Sequence, residues 1–115
     1  MAEVYDLEID QGATFQRRIT WKDGNDNPVN LEGYTARMQI RKTIRSSEVI
    51  VEATTENGFI TLGGAAGTIE ISIPADVTKT FDFKRGVYDL ELESAGGFVT
   101  RLLQGCVYVS AEVTR

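Results

Sequence analysis

The sequence predicts an all-β fold, an antiparallel β-sandwich of the immunoglobulin-like kind with about seven to nine short strands and at most one short helical turn. Two observations carry this prediction. Apolar and polar residues alternate at every second position along most of the chain, which is the period of half-buried strands. Turn-forming residues separate these stretches at intervals of about 8 to 12 residues. The length of 115 residues predicts a single domain over 1–115, because it leaves no room for two cores.

The first third of the chain predicts two strands and a hairpin turn. Apolar residues alternate with acidic ones over 5–10, and the same period returns over 13–21 after Gly12. The segment 23–28, Asp-Gly-Asn-Asp-Asn-Pro, then interrupts the pattern. Because these residue types favour turns, we expect a turn there.

The middle third predicts an amphipathic strand over 34–41 that ends in a basic, exposed stretch. A polar loop, short apolar pieces and a glycine-rich connection over 63–67 follow. The isoleucines of 69–73 form another alternating strand. That strand is expected to end at Pro74, because proline has no amide hydrogen to donate to a ladder.

The last third predicts one helical segment and a hairpin. Residues 75–81 are expected to form one or two helical turns that bridge two strands. Alternation over 88–92, a turn at 96–97 and a return over 98–103 read as a hairpin, and 106–109 completes the set of strands.

Charge and composition exclude several classes of partner. With a net charge of -5, no nucleic acid is expected as a partner, since such binders gain affinity by neutralising phosphate. No membrane is expected either, because no run approaches the ~18 apolar residues of a span. The start of the chain lacks a basic and then apolar leader pattern, which predicts synthesis in a cytoplasm. The single cysteine, Cys106, has no partner for an internal disulfide and is expected in the core.

Catalytic machinery is not predicted. The chain has no histidine, which removes the commonest general base. Asp6, Glu8 and Asp10 would project from one strand face about 7 Å apart, a spacing that suits paired carboxylates in glycoside hydrolysis. The same alternation is also what a solvated strand face shows, and we adopt that interpretation. We therefore predict no enzyme, no catalytic residue and no cofactor.

Two loops resemble ligand-binding motifs only in part. The turn from Asp23 offers oxygen atoms at alternate positions, as a calcium loop does. However, Pro28 stands where such a loop needs glycine, and Tyr34 stands where it needs a bidentate glutamate. No metal site is predicted, although a weak surface cation near Asp23 is left open. The glycine-rich 63–67 leads into a strand rather than a helix, so it is expected to be a flexible hairpin connection and not a phosphate loop.

Five stretches share their order and character with a known family. They are Leu7-Glu8-Ile9-Asp10-Gln11-Gly12, Trp21-Lys22-Asp23-Gly24, Pro28 to Arg41, Gly67-Thr68-Ile69 and Gly86 to Leu92. In this order they resemble small virion proteins of tailed bacteriophages, including the N-terminal β-sandwich domain of upper baseplate proteins. The resemblance implies a non-enzymatic component of the virion, associated with tail or baseplate. Its implied partners are other phage virion proteins and, in the assembled particle, further copies of itself.

Opposite charges on different strands predict where such docking occurs. We expect a basic stretch and two acidic faces to act as complementary contact regions, with electrostatics setting register more than affinity. The candidate docking residues are Arg37, Arg41, Lys42, Arg45, Asp6 and Asp89.

A second function class is a β-sandwich module that binds carbohydrate or a cell surface. It would require exposed aromatic side chains, and the turn at Asp23 would hold an ion. Tyr5 and Tyr88 lie on the apolar faces of their predicted strands, so both are expected in the core rather than on a sugar-binding surface.

Overall fold

The computed structural model describes residues 2–114. This range folds into nine β-strands, one turn of α-helix and one turn of 3-10 helix, arranged as two sheets. The elements are β1 (Glu3–Val4), β2 (Leu7–Asp10), β3 (Phe15–Thr20), β4 (Thr35–Arg41), β5 (Val51–Thr54), β6 (Ile60–Leu62), the 3-10 turn (Gly64–Ala66), β7 (Thr68–Ile73), α1 (Ala75–Thr78), β8 (Arg85–Glu93) and β9 (Val99–Ser110).

The two sheets form the predicted immunoglobulin-like sandwich. The large sheet has the strand order β1-β9-β8-β4-β5, with β2 also paired to β9, and the small sheet has the order β3-β7-β6. The predicted fold class is confirmed. One detail differs, because β1 and β2 pair with β9 in parallel, whereas all other strand pairs are antiparallel. Alternation marks a strand but does not reveal the direction of its partner.

Two further details differ from the sequence-based expectation, and the helical segment agrees with it. The predicted pieces 98–103 and 106–109 form one continuous strand, β9, whose register against β8 shifts between Leu90 and Glu91. The glycine-rich connection joins β6 to β7 as expected but contains a 3-10 turn. The predicted helical segment is a single turn of α-helix. No helix among residues 2–114 is long and apolar enough to cross a membrane.

The core lies between the two sheets and consists of the apolar side chains that point inward at every second position of the strands. Leu90 and Leu92 of β8 belong to the same core cluster as the isoleucines of β7, and all of them are fully buried. Burying one such side chain stabilises the fold by roughly 1.5–3 kcal/mol. Since the chain has a single cysteine, aliphatic packing takes the place of the inter-sheet disulfide found in antibody domains.

Two residues expected in the core lie elsewhere. Tyr88 is buried as predicted, but Tyr5 is 38% exposed. Tyr5 falls in the break between β1 and β2, where the strand pattern is interrupted. Cys106 is only partly buried. It lies directly opposite Val87, and residues opposite one another in an antiparallel pair share a face, which here is the outer one.

Candidate functional site

The outer face of the large sheet brings together most of the charged residues that the sequence singles out. Strand register aligns their side chains in rows across β9, β8, β4 and β5. One row contains Gln104, Asp89, Gln39 and Glu52, and the next contains Arg101, Glu91, Arg37 and Thr54. In the second row opposite charges therefore alternate between neighbouring strands, an arrangement that stabilises a sheet by about 0.2–1 kcal/mol per pair.

Two ion pairs stabilise this arrangement, one within the second row and one between the two rows. The Arg37 Nε atom lies 3.3 Å from Glu91 Oε1, and the Arg101 Nε atom lies 3.6 Å from Asp89 Oδ2. Partial burial raises the pKa of Asp89, and the nearby charge of Glu91 raises it further, while Arg101 acts in the opposite direction. The face thus neutralises much of its own charge.

Four of the six predicted docking residues are engaged within the fold, and one of them is Asp89, which pairs with Arg101. Arg37 pairs with Glu91 as described above. Arg41 donates through Nη1 to the Ser46 carbonyl oxygen at 2.6 Å and through Nη2 to Gln39 Oε1 at 2.8 Å. Asp6 lies at the opposite edge of the sheet, where its Oδ1 atom accepts a hydrogen bond from the Cys106 amide at 2.9 Å.

The remaining predicted basic residues, Lys42 and Arg45, are exposed in the loop that follows β4. The structure therefore places Arg37, Arg41 and Asp89 side by side on one face, with Lys42 and Arg45 beside its lower end. Here "lower" denotes the end at which β4 finishes, and "upper" denotes the end with the β8–β9 hairpin.

A shallow groove of about 820 Å³ crosses this face. Val4 lines it on β1 and is 75% exposed, and Ile44 lines it from the β4–β5 loop and is 85% exposed. Between them lie Val87 and Cys106, which also line the groove. These four residues are called the apolar strip below. Sequence reasoning missed them, although an isoleucine inside the basic loop was a usable signal.

A smaller hollow of about 300 Å³ lies at the upper end of the same face. Glutamate side chains dominate its lining, and Val99, which is 47% exposed, contributes to it. We call it the acidic hollow. Its glutamates are Glu52, Glu56, Glu91 and Glu93.

The turn at Asp23 uses its carboxylate within the chain. The Asp23 Oδ1 atom accepts hydrogen bonds from the amides of Asn25 at 2.8 Å and Asn27 at 3.0 Å. Asp26 adopts a positive φ of 66°, a conformation that aspartate tolerates in turns. The hairpin turn predicted there is present. Over the described range, no group of three or more His, Cys, Asp or Glu residues is placed to hold a metal ion.

The aromatic residues do not form one platform. Trp21 is partly buried and packs edge-on against Tyr34, with ring centroids 6.1 Å apart. Tyr108 is exposed at the lower end of the outer face, and the Arg85 guanidinium lies 5.9 Å from its ring centroid. Tyr88 lies in the core.

No family model matches the chain, and no curated protein matches it either. Two solved structures are similar in fold. The extracellular domains 3–5 of Drosophila OTK are 15% identical, and the match covers 98% of this chain and 34% of that one with a TM-score of 0.43. A structure from an analysis of multimeric cell-adhesive interactions of VGSC beta subunits is 9% identical, and the match covers 96% and 93% of the two chains with a TM-score of 0.44. This chain thus spans about a third of the first of them, and identities this low concern the fold alone.

The chemistry of the outer face suits binding to a protein surface. The apolar strip is flanked by charged residues, and protein–protein interfaces have the same arrangement of an apolar centre and a polar rim. The ion pairs hold the long arginine side chains in place, so less conformational entropy is lost when a partner covers them.

Proposed function

We propose that this chain is a non-enzymatic structural component of a bacteriophage particle, associated with tail or baseplate. It acts by docking onto other particle proteins within a symmetric assembly. Its place is the virion, after synthesis in the host cytoplasm. The sequence resemblance to phage baseplate domains motivates the phage assignment, and the outer face of the large sheet supports the docking role.

The apolar strip is the observation that carries the docking role. Val4 and Ile44 expose most of their surface to water on a face that is otherwise polar. When a partner covers these two side chains, the free energy of binding becomes more favourable by roughly 25 cal/mol for every Å² of apolar surface removed from water. Single exposed apolar residues are ordinary, but two that frame one groove mark a surface that a partner can cover.

The non-enzymatic part of the proposal is supported by how the carboxylates are used. Asp89 and Glu91 face arginines, and Asp6 binds a backbone amide. The sequence offers no histidine to work with them. These groups therefore act as structural and recognition elements in the proposal.

Carbohydrate or cell-surface binding stays the alternative. The aromatic side chains that it needs do not share one exposed surface, because Trp21 and Tyr34 pack against each other, Tyr88 lies in the core and Tyr108 is exposed on the outer face of the large sheet. The Asp23 carboxylate that would hold its ion accepts two backbone amides. The docking role is therefore the better supported of the two.

Immunogold electron microscopy of phage particles from the encoding lysate tests the proposal. Antibodies against the purified domain are expected to label one end of the tail. Label over the capsid would show that the protein belongs to the head rather than to the tail. Particles without label, from cells that contain the protein, would refute the virion assignment. Glycan-array binding that is lost on chelation would then favour the alternative.

A charge placed in the apolar strip tests the docking face in the same particles. The variant Val87→Arg is expected to fold but to be missing from the virion. Gln16→Arg is the matched control, because it adds the same charge to an exposed position on β3 of the small sheet. Equal incorporation of both variants would show that this face does not dock.

A further inference from the structure

Charge on the outer face of the large sheet is separated along strands β4, β5 and β8. The upper half of the face carries five acidic residues and two arginines, and the lower half with loop 42–45 carries four basic residues and, at its β2 edge, three acidic ones. The upper residues are Glu52, Glu56, Asp89, Glu91, Glu93, Arg37 and Arg101. The lower residues are Arg41, Lys42, Arg45, Arg85, Asp6, Glu8 and Asp10.

Each half also presents an apolar side chain next to its charge. Ile44 lies between Lys42 and Arg45 in the lower loop and is 85% exposed. Val99 lines the acidic hollow beside Glu93 and is 47% exposed. Loop 42–45 and the acidic hollow are thus complementary in charge and similar in apolar character.

We propose that a second copy of this chain packs on this face in antiparallel orientation, with the loop 42–45 of each copy against the acidic hollow of the other. This inference rests on the proposed docking function and names its partner. A parallel arrangement would place like charges opposite one another, which is unfavourable at an interface. The antiparallel one places basic loops over acidic hollows twice.

The geometry allows one two-fold axis to form both contacts. Loop and hollow lie at opposite ends of β4, whose seven residues span about 20 Å at ~3.3 Å per residue. Because both copies have the same spacing, a rotation about the middle of the face brings each loop onto the other hollow. Such an isologous contact closes at two copies.

The centre of the face fits this packing. The axis would pass near the row of Gln104, Asp89 and Gln39, with Val87 and Cys106 just below it. Asp89 and Gln39 are already engaged by neighbouring side chains, and Val87 and Cys106 are short, so two sheets can approach face to face at the ~10 Å spacing of stacked sheets. The charged ends then set the register, and the apolar strips contribute burial.

A charge-swap experiment tests the contact with the purified chain. Arg45→Glu makes the loop acidic against an acidic hollow, and Glu93→Arg makes the hollow less acidic against a basic loop. Each variant alone is expected to lose self-association by more than about tenfold relative to wild type, because like charges now meet. An equimolar mixture of the two is expected to regain it, because opposite charges then meet at both contacts.

Sedimentation velocity over a concentration series provides the readout, and salt is expected to weaken the wild-type dimer. Lys79→Glu and Glu32→Arg are the matched controls, since they make equal charge changes at exposed positions away from the face and should leave association unchanged. Val87→Arg should abolish it.

Three outcomes would overturn the inference: a wild-type chain that stays monomeric, single variants that associate like wild type, or growth beyond two copies. None of these would touch the virion assignment, which depends on labelled particles. If particles carry no label but the charge-swap experiment gives the expected result, the proposed function is refuted and the antiparallel dimer is still supported.

Discussion

The hydroxyl of Tyr88 donates a hydrogen bond to the backbone carbonyl oxygen of Tyr5. Tyr88 belongs to the core of the large sheet, and Tyr5 occupies the break between β1 and β2. The bond therefore anchors the segment between β1 and β2 to the core of the sandwich. The hydroxyl of Tyr5 also accepts a hydrogen bond, from Arg17 Nη1.

Replacing this hydroxyl should weaken the fold measurably. Tyr88→Phe leaves the Tyr5 carbonyl without this donor and should lower the free energy of unfolding by about 1 kcal/mol. Urea unfolding followed by tryptophan fluorescence measures the change. Tyr34→Phe removes a phenolic hydroxyl at another position and is the control. Equal stabilities of the Tyr88→Phe variant and wild type would mean that water replaces the bond at no cost.

The same residue predicts how stability changes at high pH. Burial raises the pKa of Tyr88, and the neighbouring Tyr5 and Asp6 add to the effect. In the unfolded chain tyrosine ionises near pH ~10. The stabilising contribution of Tyr88 is therefore complete below about pH 10 and declines above it by up to ~1.4 kcal/mol per pH unit. Unfolding curves between pH ~8 and ~11 should show this slope, and Tyr88→Phe should lose it while Tyr34→Phe keeps it.

Asp6 should matter for stability through its oxygen atom rather than its charge. Asp6→Ala leaves the Cys106 amide without its acceptor and is expected to cost about 1 kcal/mol. Asp6→Asn keeps an oxygen at the same position and should cost less than about half of that. Chemical denaturation of the two variants side by side checks this. Identical losses in both would show that the negative charge is what stabilises.

Gly105 should tolerate no side chain. A Cβ atom there would lie 2.6 Å from the Tyr5 carbonyl oxygen and 2.8 Å from Asp6 Oδ1. Gly105→Ala should therefore push the β1–β2 segment away from β9 and destabilise the fold by about 2 kcal/mol. Gly24→Ala, where a Cβ atom meets nothing within 4 Å, should stay near wild type. Hydrogen exchange in β2 provides a local readout, and unchanged protection in Gly105→Ala would contradict the prediction.

Thr78 should be the most sensitive polar residue of the helical turn. It is fully buried, its Oγ1 atom donates to the Ala13 carbonyl at 2.8 Å, and the Gly12 amide donates to it at 3.1 Å. Thr78→Val removes both bonds and should cost about 2 kcal/mol, whereas Thr78→Ser keeps the hydroxyl and should cost less than about 1 kcal/mol. Thermal unfolding distinguishes them. A serine variant as weak as the valine variant would assign the effect to packing.

The strands and turns were readable from the sequence because they depend on local patterns. The alternation in β7 and β8 and the turn at 23–28 needed no knowledge of the partner strand. The parallel pairing of β2 was not readable, since Leu7 and Ile9 alternate in the same way beside either partner direction. The exposure of Tyr5 also depends on a contact made far along the chain.

The candidate site was predictable only in its ingredients. The sequence supplied the basic stretch and Asp89, but only strand register places Arg37 opposite Glu91 and leaves Lys42 and Arg45 in an exposed loop. Val4 and Ile44 become a pair only when β1 and the β4–β5 loop frame one groove. Such long-range juxtapositions cannot be read from single-sequence periodicity.

The parallel pairing of β1 and β2 with β9 also means that these strands are synthesised long before the strand with which they pair. Asp6 and its partner Cys106 are 100 residues apart, so on the ribosome β2 waits roughly 5–20 s for its neighbour at typical synthesis rates. During that interval its Leu7 and Ile9 have no sheet to cover them. Glu8 and Asp10, which alternate with them, discourage premature pairing with other unfinished chains, because like charges repel along a strand edge. The acidic alternation that the finished fold turns towards water thus protects the nascent chain before that fold exists.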